Sequence, residues 1–440
     1  MKFKIDPKNI TSIRSLLVLL SLITACFTSN AAVIEVKPNA ELPTGLIQKA
    51  IDRANNGDVV LVYPGTFSEN LDLGKKQIVI ESKQGASSTI IIANNKLDSV
   101  VTLNGGTIRG FTLTGGTGRP RKSSYGNDYY GGGVYASGNS IIENCIIFGN
   151  GHGKPKVNSG TFAGGVYAGG KGANVVIRNS LLYDNFAWAS GGAVLTDHGA
   201  EIRIENSTLY GNQSTNFLGH QGGVAMANGG KVEIVNSILW ANSGDEIGAF
   251  AGIYSQGTQA IVRYSMIEGG YQGEGNLFVP QPGFINPSEV AGSDSILGTK
   301  DDGLRPASES PIIGQANAEE FTNLTGTDLA GFLRLQGAKP EIGCYEFGNL
   351  VNSDRNTPPP PPATDPGTPP DPDYKDTIAE LKRLLAEKDK QLAHCEKEMD
   401  AKNKEIGELT SENAKLQGEV KSLNGKVTGL EKQVATLKSD

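Results

Sequence analysis

Four stretches between residues 139 and 242 can be laid over one another without a gap. They are NSIIENCIIFGN from Asn139, NVVIRNSLLYDN from Asn174, EIRIENSTLYGN from Glu201 and KVEIVNSILWAN from Lys231. A worn fifth copy, QAIVRYSMIEGG, begins at Gln259. Each copy is a short alternating apolar run, an Asn, a small residue and a second apolar run. Period-2 alternation predicts strands, and Asn before a small residue predicts a tight bend through the left-handed backbone region. A glycine-led strand precedes each copy: GGGVYA, AGGVYA, GGAVLT, GGVAMA and AGIYSQ. A unit of three short strands cannot bury its own apolar face, so it must stack on its neighbours. Stacking in register would place Asn144, Asn179, Asn206 and Asn236 above one another, where their amides can hydrogen-bond along the stack. It would also align apolar residues such as Val176, Ile204 and Ile234 inside. Cys145 occupies the position of Ser180, Ser207 and Ser237, which makes it a small ladder residue rather than a reactive thiol.

This pattern resembles the right-handed parallel β-helix, the fold of the pectate lyases and of many bacterial surface proteins. The resemblance runs from about Val33 to Phe347 and implies an all-β solenoid over 33–350. The fold hosts lyases, hydrolases, adhesins and inert stalks, so it does not by itself imply an activity. The 57 glycines serve corners and close approach between coils. A formal net charge of −7 argues against nucleic acid or an anionic membrane as partner.

Residues 1–32 read as an export signal, with Lys2, Lys4, Lys8 and Arg14 ahead of a short apolar core at 16–23. Two endings compete. Ile23-Thr24-Ala25-Cys26 resembles a lipoprotein box, which would lipidate Cys26 and supply the chain's one link to a membrane. Ser29-Asn30-Ala31 suits ordinary signal peptidase. Both put the protein outside the cytoplasm, at the cell surface or outer membrane or secreted. The segment TGLIQKAIDRAN has one apolar helical face, with Thr44 as N-cap candidate and Gly57 just past its end. With the following GDVVLVYPGTF it resembles the N-terminal capping helix of bacterial β-helix proteins, which covers the open end of the core.

From residue 280 the repeat changes. Ser310-Pro311-Ile312-Ile313-Gly314 and Glu341-Ile342-Gly343-Cys344-Tyr345-Glu346 resemble the C-terminal segment of the choice-of-anchor surface proteins. That family usually reads Ser-Pro-Ala-Ile-Asp-x-Gly and Asp-Ile-Gly-Ala-Tyr-Glu, and this chain lacks the Asp and the last Gly of the first motif. Residues 351–374 are a proline-rich linker of extended character. Over 375–440 the period becomes seven, which predicts an α-helical coiled coil. Val420, Val427 and Val434 at a, with Leu416, Leu423, Leu430 and Leu437 at d, favour two strands. Asn413 at a favours a parallel, in-register homodimer.

For chemistry, a lyase similar to pectate lyase needs clustered acids for calcium and an Arg or Lys base. Asp128, Asp184, Asp197, Arg119 and Arg178 are available but come from different coil positions. Gly151-His152-Gly153 also occurs in polygalacturonases, but the paired carboxylates of inverting hydrolysis are missing upstream. His198 and His220 have no partner visible in sequence and read as solvated. Asp294, Asp301 and Asp302 are a candidate calcium set, with a polar hairpin as the competing reading; otherwise no cofactor is implied. Tyr129, Tyr130, Phe186, Trp188 and Phe217 fall in or beside insertions on one side of the coils. Aromatics there are candidates to stack on sugars, or simply to pack the loops down. The function expected is non-catalytic binding of a polysaccharide or cell-surface glycan, or adhesion, presented on a dimeric stalk. The alternatives are a lyase or hydrolase of uronate polymers and a structural spacer.

Overall fold

The computed structural model describes residues 31–38, 45–123, 126–151, 160–215, 221–249, 252–321, 326–334 and 339–348. The chain divides into two units between residues 353 and 354, and every described residue lies in the first. Cys26, His152, Phe217, His220, the linker and the heptad positions from Asn413 to Leu437 lie outside the described residues.

Each turn of the chain lays down three strands. One turn consists of Asn174–Arg178, Leu181–Tyr183 and Val194–Asp197; the next of Glu201–Glu205, Thr208–Tyr210 and Val224–Met226. All three stack in parallel on their counterparts, with Asn174 opposite Glu201, Leu181 opposite Thr208 and Val194 opposite Val224. The three faces are called here the ladder face, the strapped face and the loop face, in chain order. Strapped-face strands make an 8-stranded sheet, and the other two faces merge into a 14-stranded one. They merge because Val101–Arg109 and Val134–Glu143 run through the corner between them. The result is a parallel β-helix.

Inward rows form the core: Ile177, Ile204, Ile234 and Val262 on the ladder face, Leu182, Leu209, Leu239 and Ile267 on the strapped face, Val166, Val194 and Val224 on the loop face. Val176 is not among them. It pairs with Arg203 in the outward row and is half-buried, because Val175 and Ile177 take the two inward positions. The expected bend is present, with Asn144, Asn179, Asn206 and Asn236 at φ of 52, 47, 49 and 50°. Their amide ladder is not continuous. Asn179 Nδ2 donates to Asn144 Oδ1 at 2.6 Å, but Asn236 turns to the backbone of Asn317 and Asn206 Oδ1 has no partner among the described residues. The unbroken ladder is one corner later. Asn150, Asn185 and Asn212 each donate Nδ2 to the Oδ1 of the Asn above, at 3.1, 2.9 and 2.8 Å, ending at Asn242. These side chains are buried, where an amide without partners would be costly. Beside the first corner, Cys145, Ser180, Ser207 and Ser237 form the expected small-residue column. Each backbone N–H donates to the next serine Oγ at 3.0–3.2 Å.

Helix α1 (Leu46–Arg53) buries Ile47, Ala50 and Ile51 in the core. Its N-cap is Gly45, at φ 74°, and its first N–H groups are capped from a distance: Glu69 accepts from Leu46, Ile47 and Gln48 at 2.8–3.1 Å. Lys76 Nζ closes the other end on the carbonyls of Ile51, Asp52 and Ala54. The described residues of 280–321, 326–334 and 339–348 then run back over the strapped face as a strap. Val290, Leu304, Cys344 and Tyr345 pack on Ile146 and Leu181, while Ile312 and Ile342 pack on Ile238 and Met266. Gly343 N–H donates to Asn236 O at 2.9 Å, and a Cβ at Gly343 would meet Ile238 Cδ1 at 2.8 Å.

Candidate functional site

The ladder face carries a self-satisfied column of charge. Glu81, Arg109, Glu143, Arg178 and Glu205 are register neighbours of alternating sign. Arg109 and Arg178 both reach Glu143, at 2.7 and 2.8 Å, and Arg203 and Arg263 share Glu233 and Glu320 at 2.6–3.0 Å. Arg178 is therefore committed to carboxylates on a different face from Arg119 and Asp197, which separates the residues a lyase would need to bring together.

The loop face differs. Alternation turns Val134, Val166 and Val194 inward, so Tyr135, Tyr167 and Leu195 point outward. The insertion after residue 117 is a hairpin, Arg119–Ser123 against Gly126–Tyr130, and it roofs these rings. Thr161–Phe162 extends it as a third strand. Tyr130 stacks on Phe162 at 4.9 Å and meets Tyr167 edge-on at 5.0 Å. Above them the Arg121 guanidinium sits 5.2, 5.0 and 5.3 Å from the rings of Tyr130, Tyr135 and Tyr167.

A hydrogen-bond chain runs down from it. Arg121 Nη1 donates to the Tyr167 hydroxyl at 3.3 Å, and Tyr167 donates to Asp197 Oδ2 at 3.2 Å. Burial, reinforced by Asp197, raises Tyr167 well above the usual phenol range, so it stays a donor. Tyr130 is pushed up to about 12, first by burial and then by Asp128 and Asp197. Asp197 also accepts from His198 N, from Asn228 Nδ2 at 2.8 Å and from His198 Nδ1 at 2.7 Å. His198 thus has the partner that sequence did not reveal, while 61% of its side chain stays exposed.

Of the candidate sugar-stacking residues, Tyr129 is only 8% exposed and packs the hairpin down, and Tyr130 and Phe186 are half-buried. Trp188 is 56% exposed, and its backbone N–H is tied to Thr161 Oγ1 at 2.7 Å beside the Phe162 strand. Asp128 accepts from Gly160 N–H, and Asp184 stands at a corner with φ 49°. Tyr135, Phe162 and Tyr167 were missed by sequence reading, though the Val-Tyr-Ala alternation in two glycine-led strands marks both tyrosines as outward.

The three candidate calcium acids serve their own loop. Asp301 accepts from Ser293 N–H and Oγ and from Thr299 Oγ1, Asp302 from Gly298 N–H and the Tyr345 hydroxyl, and Asp294 from Ile296 N–H. Among the described residues no group of three His, Cys, Asp or Glu side chains is arranged to hold a metal ion.

No curated protein sequence matches the chain. Among solved structures, pectate lyase Pel9A is similar at 15% identity, covering 73% of this chain and 98% of its own, with a TM-score of 0.39. Pectin methylesterase from carrot is similar at 15% identity over 57% and 88%, with a TM-score of 0.36. Likenesses of this degree say nothing about activity. Residues 74–267 match the family model of the right handed beta helix region, and with the stacked parallel coils this gives the fold as a right-handed parallel β-helix.

Proposed function

We propose that the β-helix is an exported glycan-binding platform without turnover. The observation that carries this reading is the one-sided annex of insertions on the loop face. There the exposed Trp188 is tied to the Thr161–Phe162 strand, Phe162 stacks on Tyr130, and exposed Arg121 lies over the Tyr130 ring. Flat aromatic and guanidinium surfaces grip sugar rings, and strands fixed by the solenoid hold them in place. Export follows from the basic-then-apolar segment at residues 1–23, with lipidation at Cys26 as one outcome of its processing. The C-terminal heptads would pair two copies and display the platform on a stalk roughly 90 Å long. The choice-of-anchor likeness of residues 282–347 fits surface display. The runner-up, a lyase or hydrolase of uronate polymers, is disfavoured by the commitment of Asp197 to Tyr167, His198 and Asn228 and of Arg178 to Glu143.

The test is a glycan array and a turnover assay on the full-length mature chain. Retention of one or more glycans, with no new unsaturated or reducing ends over hours with calcium, is expected. Robust cleavage would sink the binding-only reading, and neither cleavage nor retention would leave a spacer. In sedimentation equilibrium the chain is expected as a dimer, and Asn413→Val should blur the oligomeric state; a monomer would end the stalk proposal.

A further inference from the structure

We infer that Arg121 is the specificity residue of the loop face and that it takes an oxyanion, a carboxylate, sulfate ester or phosphate ester, carried by the bound polysaccharide. This rests on the glycan-binding reading above. Arg109, Arg178, Arg203 and Arg263 are each held by carboxylates. Arg121 is exposed and has no carboxylate partner among the described residues. Its neighbours are three aromatic rings and one phenol oxygen. Two carboxylates lie on this side: Asp128, opposite Arg121 in the hairpin register, forms no ion pair with it and accepts from Gly160 N–H, and Asp197 is already met by the Tyr167 hydroxyl, two donors of His198 and the Asn228 amide. Arg119, next on the same side of the hairpin, is spent on Asp72 at 3.3 Å and lies over Tyr135.

Three properties follow. The rings hold the guanidinium without neutralising it, so its charge stays available. Only one of its five N–H donors is used within the described residues, which leaves donors for a forked contact with an oxyanion. The rotamer cost of ordering a long side chain is already met before a ligand arrives. An unpaired, pre-set cation on a chain of net charge −7 selects for negative ligands that the rest of the surface repels. Trp188, by contrast, stacks on sugar faces regardless of charge.

The test uses one backbone with different substituents. The full-length mature chain is measured by affinity electrophoresis against dextran, carboxymethyl-dextran, dextran sulfate and dextran phosphate. Stronger retention by at least one charged derivative than by dextran is expected, and the three derivatives separate carboxylate, sulfate and phosphate. R121Q should weaken that retention about tenfold and leave any retention by dextran unchanged. R121K keeps the charge but loses the fork and the ring stacking, so it too should bind more weakly than the parent. W188A should lower retention on every matrix alike. Equal retention by dextran and its derivatives, or R121Q and R121K variants that bind like the parent, would overturn the inference while leaving glycan binding intact. No retention by any charged matrix would also overturn it, whereas the glycan-binding reading is judged by the array, which includes neutral glycans.

Discussion

Asn212 shows how a polar side chain can hold a β-helix core together. Its Nδ2 donates to Leu182 O, Tyr210 O and Asn242 Oδ1, and its Oδ1 accepts from Asn185 N–H and Nδ2. Nothing apolar of similar size could replace it, because several buried backbone groups would lose partners at once. Asn212→Ala should therefore cost about 3 kcal/mol or more by urea unfolding. Asn174→Ala, on an exposed amide contact of 3.5 Å, should change stability by less than about 0.5 kcal/mol. Equal effects would refute the ladder as a source of stability. Both asparagine columns were legible as repeats, but the ladder was assigned to the wrong one. At the first corner the amide's task is conformational, since its backbone sits at φ near 50°, and the side chain is free to find local partners. At the second it points inward, where its partners are its own copies and the backbone carbonyls of the adjoining strands. Periodicity marks a column; it does not say which way the column faces, and Val176 was misassigned inward for the same reason.

At the scale of elements, strand positions were readable because their pattern is local, and the coverings were not because theirs is distant. The caps of α1 come from Glu69 and Lys76, and the roof over Tyr167 is a hairpin that begins at Arg119. The strap was recognisable as a change of repeat, yet its destination on the strapped face depends on contacts such as Arg334. That side chain is 2% exposed and reaches Glu346, itself fully buried, at 2.7 Å, together with Gly343 O and the Asn179 amide. Removing one member of a buried pair strands the other charge. Arg334→Met is expected to cost roughly 3–5 kcal/mol and to loosen the strap, and Arg334→Met with Glu346→Leu should recover part of that loss. Hydrogen exchange would locate the change at the Gly343 N–H to Asn236 O contact. A single variant as stable as the parent would mean that the pair does not hold the strap.

Across the whole molecule, the asparagine ladder ends on an acid, and this gives stability a pH dependence. Asn242 donates its N–H and Nδ2 to Glu246 at 3.1 and 2.6 Å, so Glu246 terminates the column that starts at Asn150. Burial pushes Glu246 up to about 8 from an ordinary 4.5, against the opposing donors of Asn242 and with nearby Glu268 adding to the rise. Burial also raises Glu341 to about 7 and Asp302 and Asp328 to about 6. For each, the unfolded chain loses its proton first. Between the ordinary and the raised value the folded state binds more protons, so stability falls as pH rises through that window. Asp301 and Glu320 are shifted down, by Ser293 and Thr299 and by Arg203, and their contribution is lost only as pH drops below the ordinary carboxylate range. Urea midpoints should therefore decline from about pH 5 to pH 8. Above pH 7 Glu246 carries most of the remaining slope, roughly 1 kcal/mol per pH unit, with a smaller share from Glu341. Glu246→Gln should remove most of the slope between pH 7 and 8, leaving the smaller share of Glu341, and keep the steeper fall below pH 6 in place. A parent midpoint that rises over this range, or a variant that keeps the slope above pH 7, would show that the buried end of the ladder is not protonated at neutral pH.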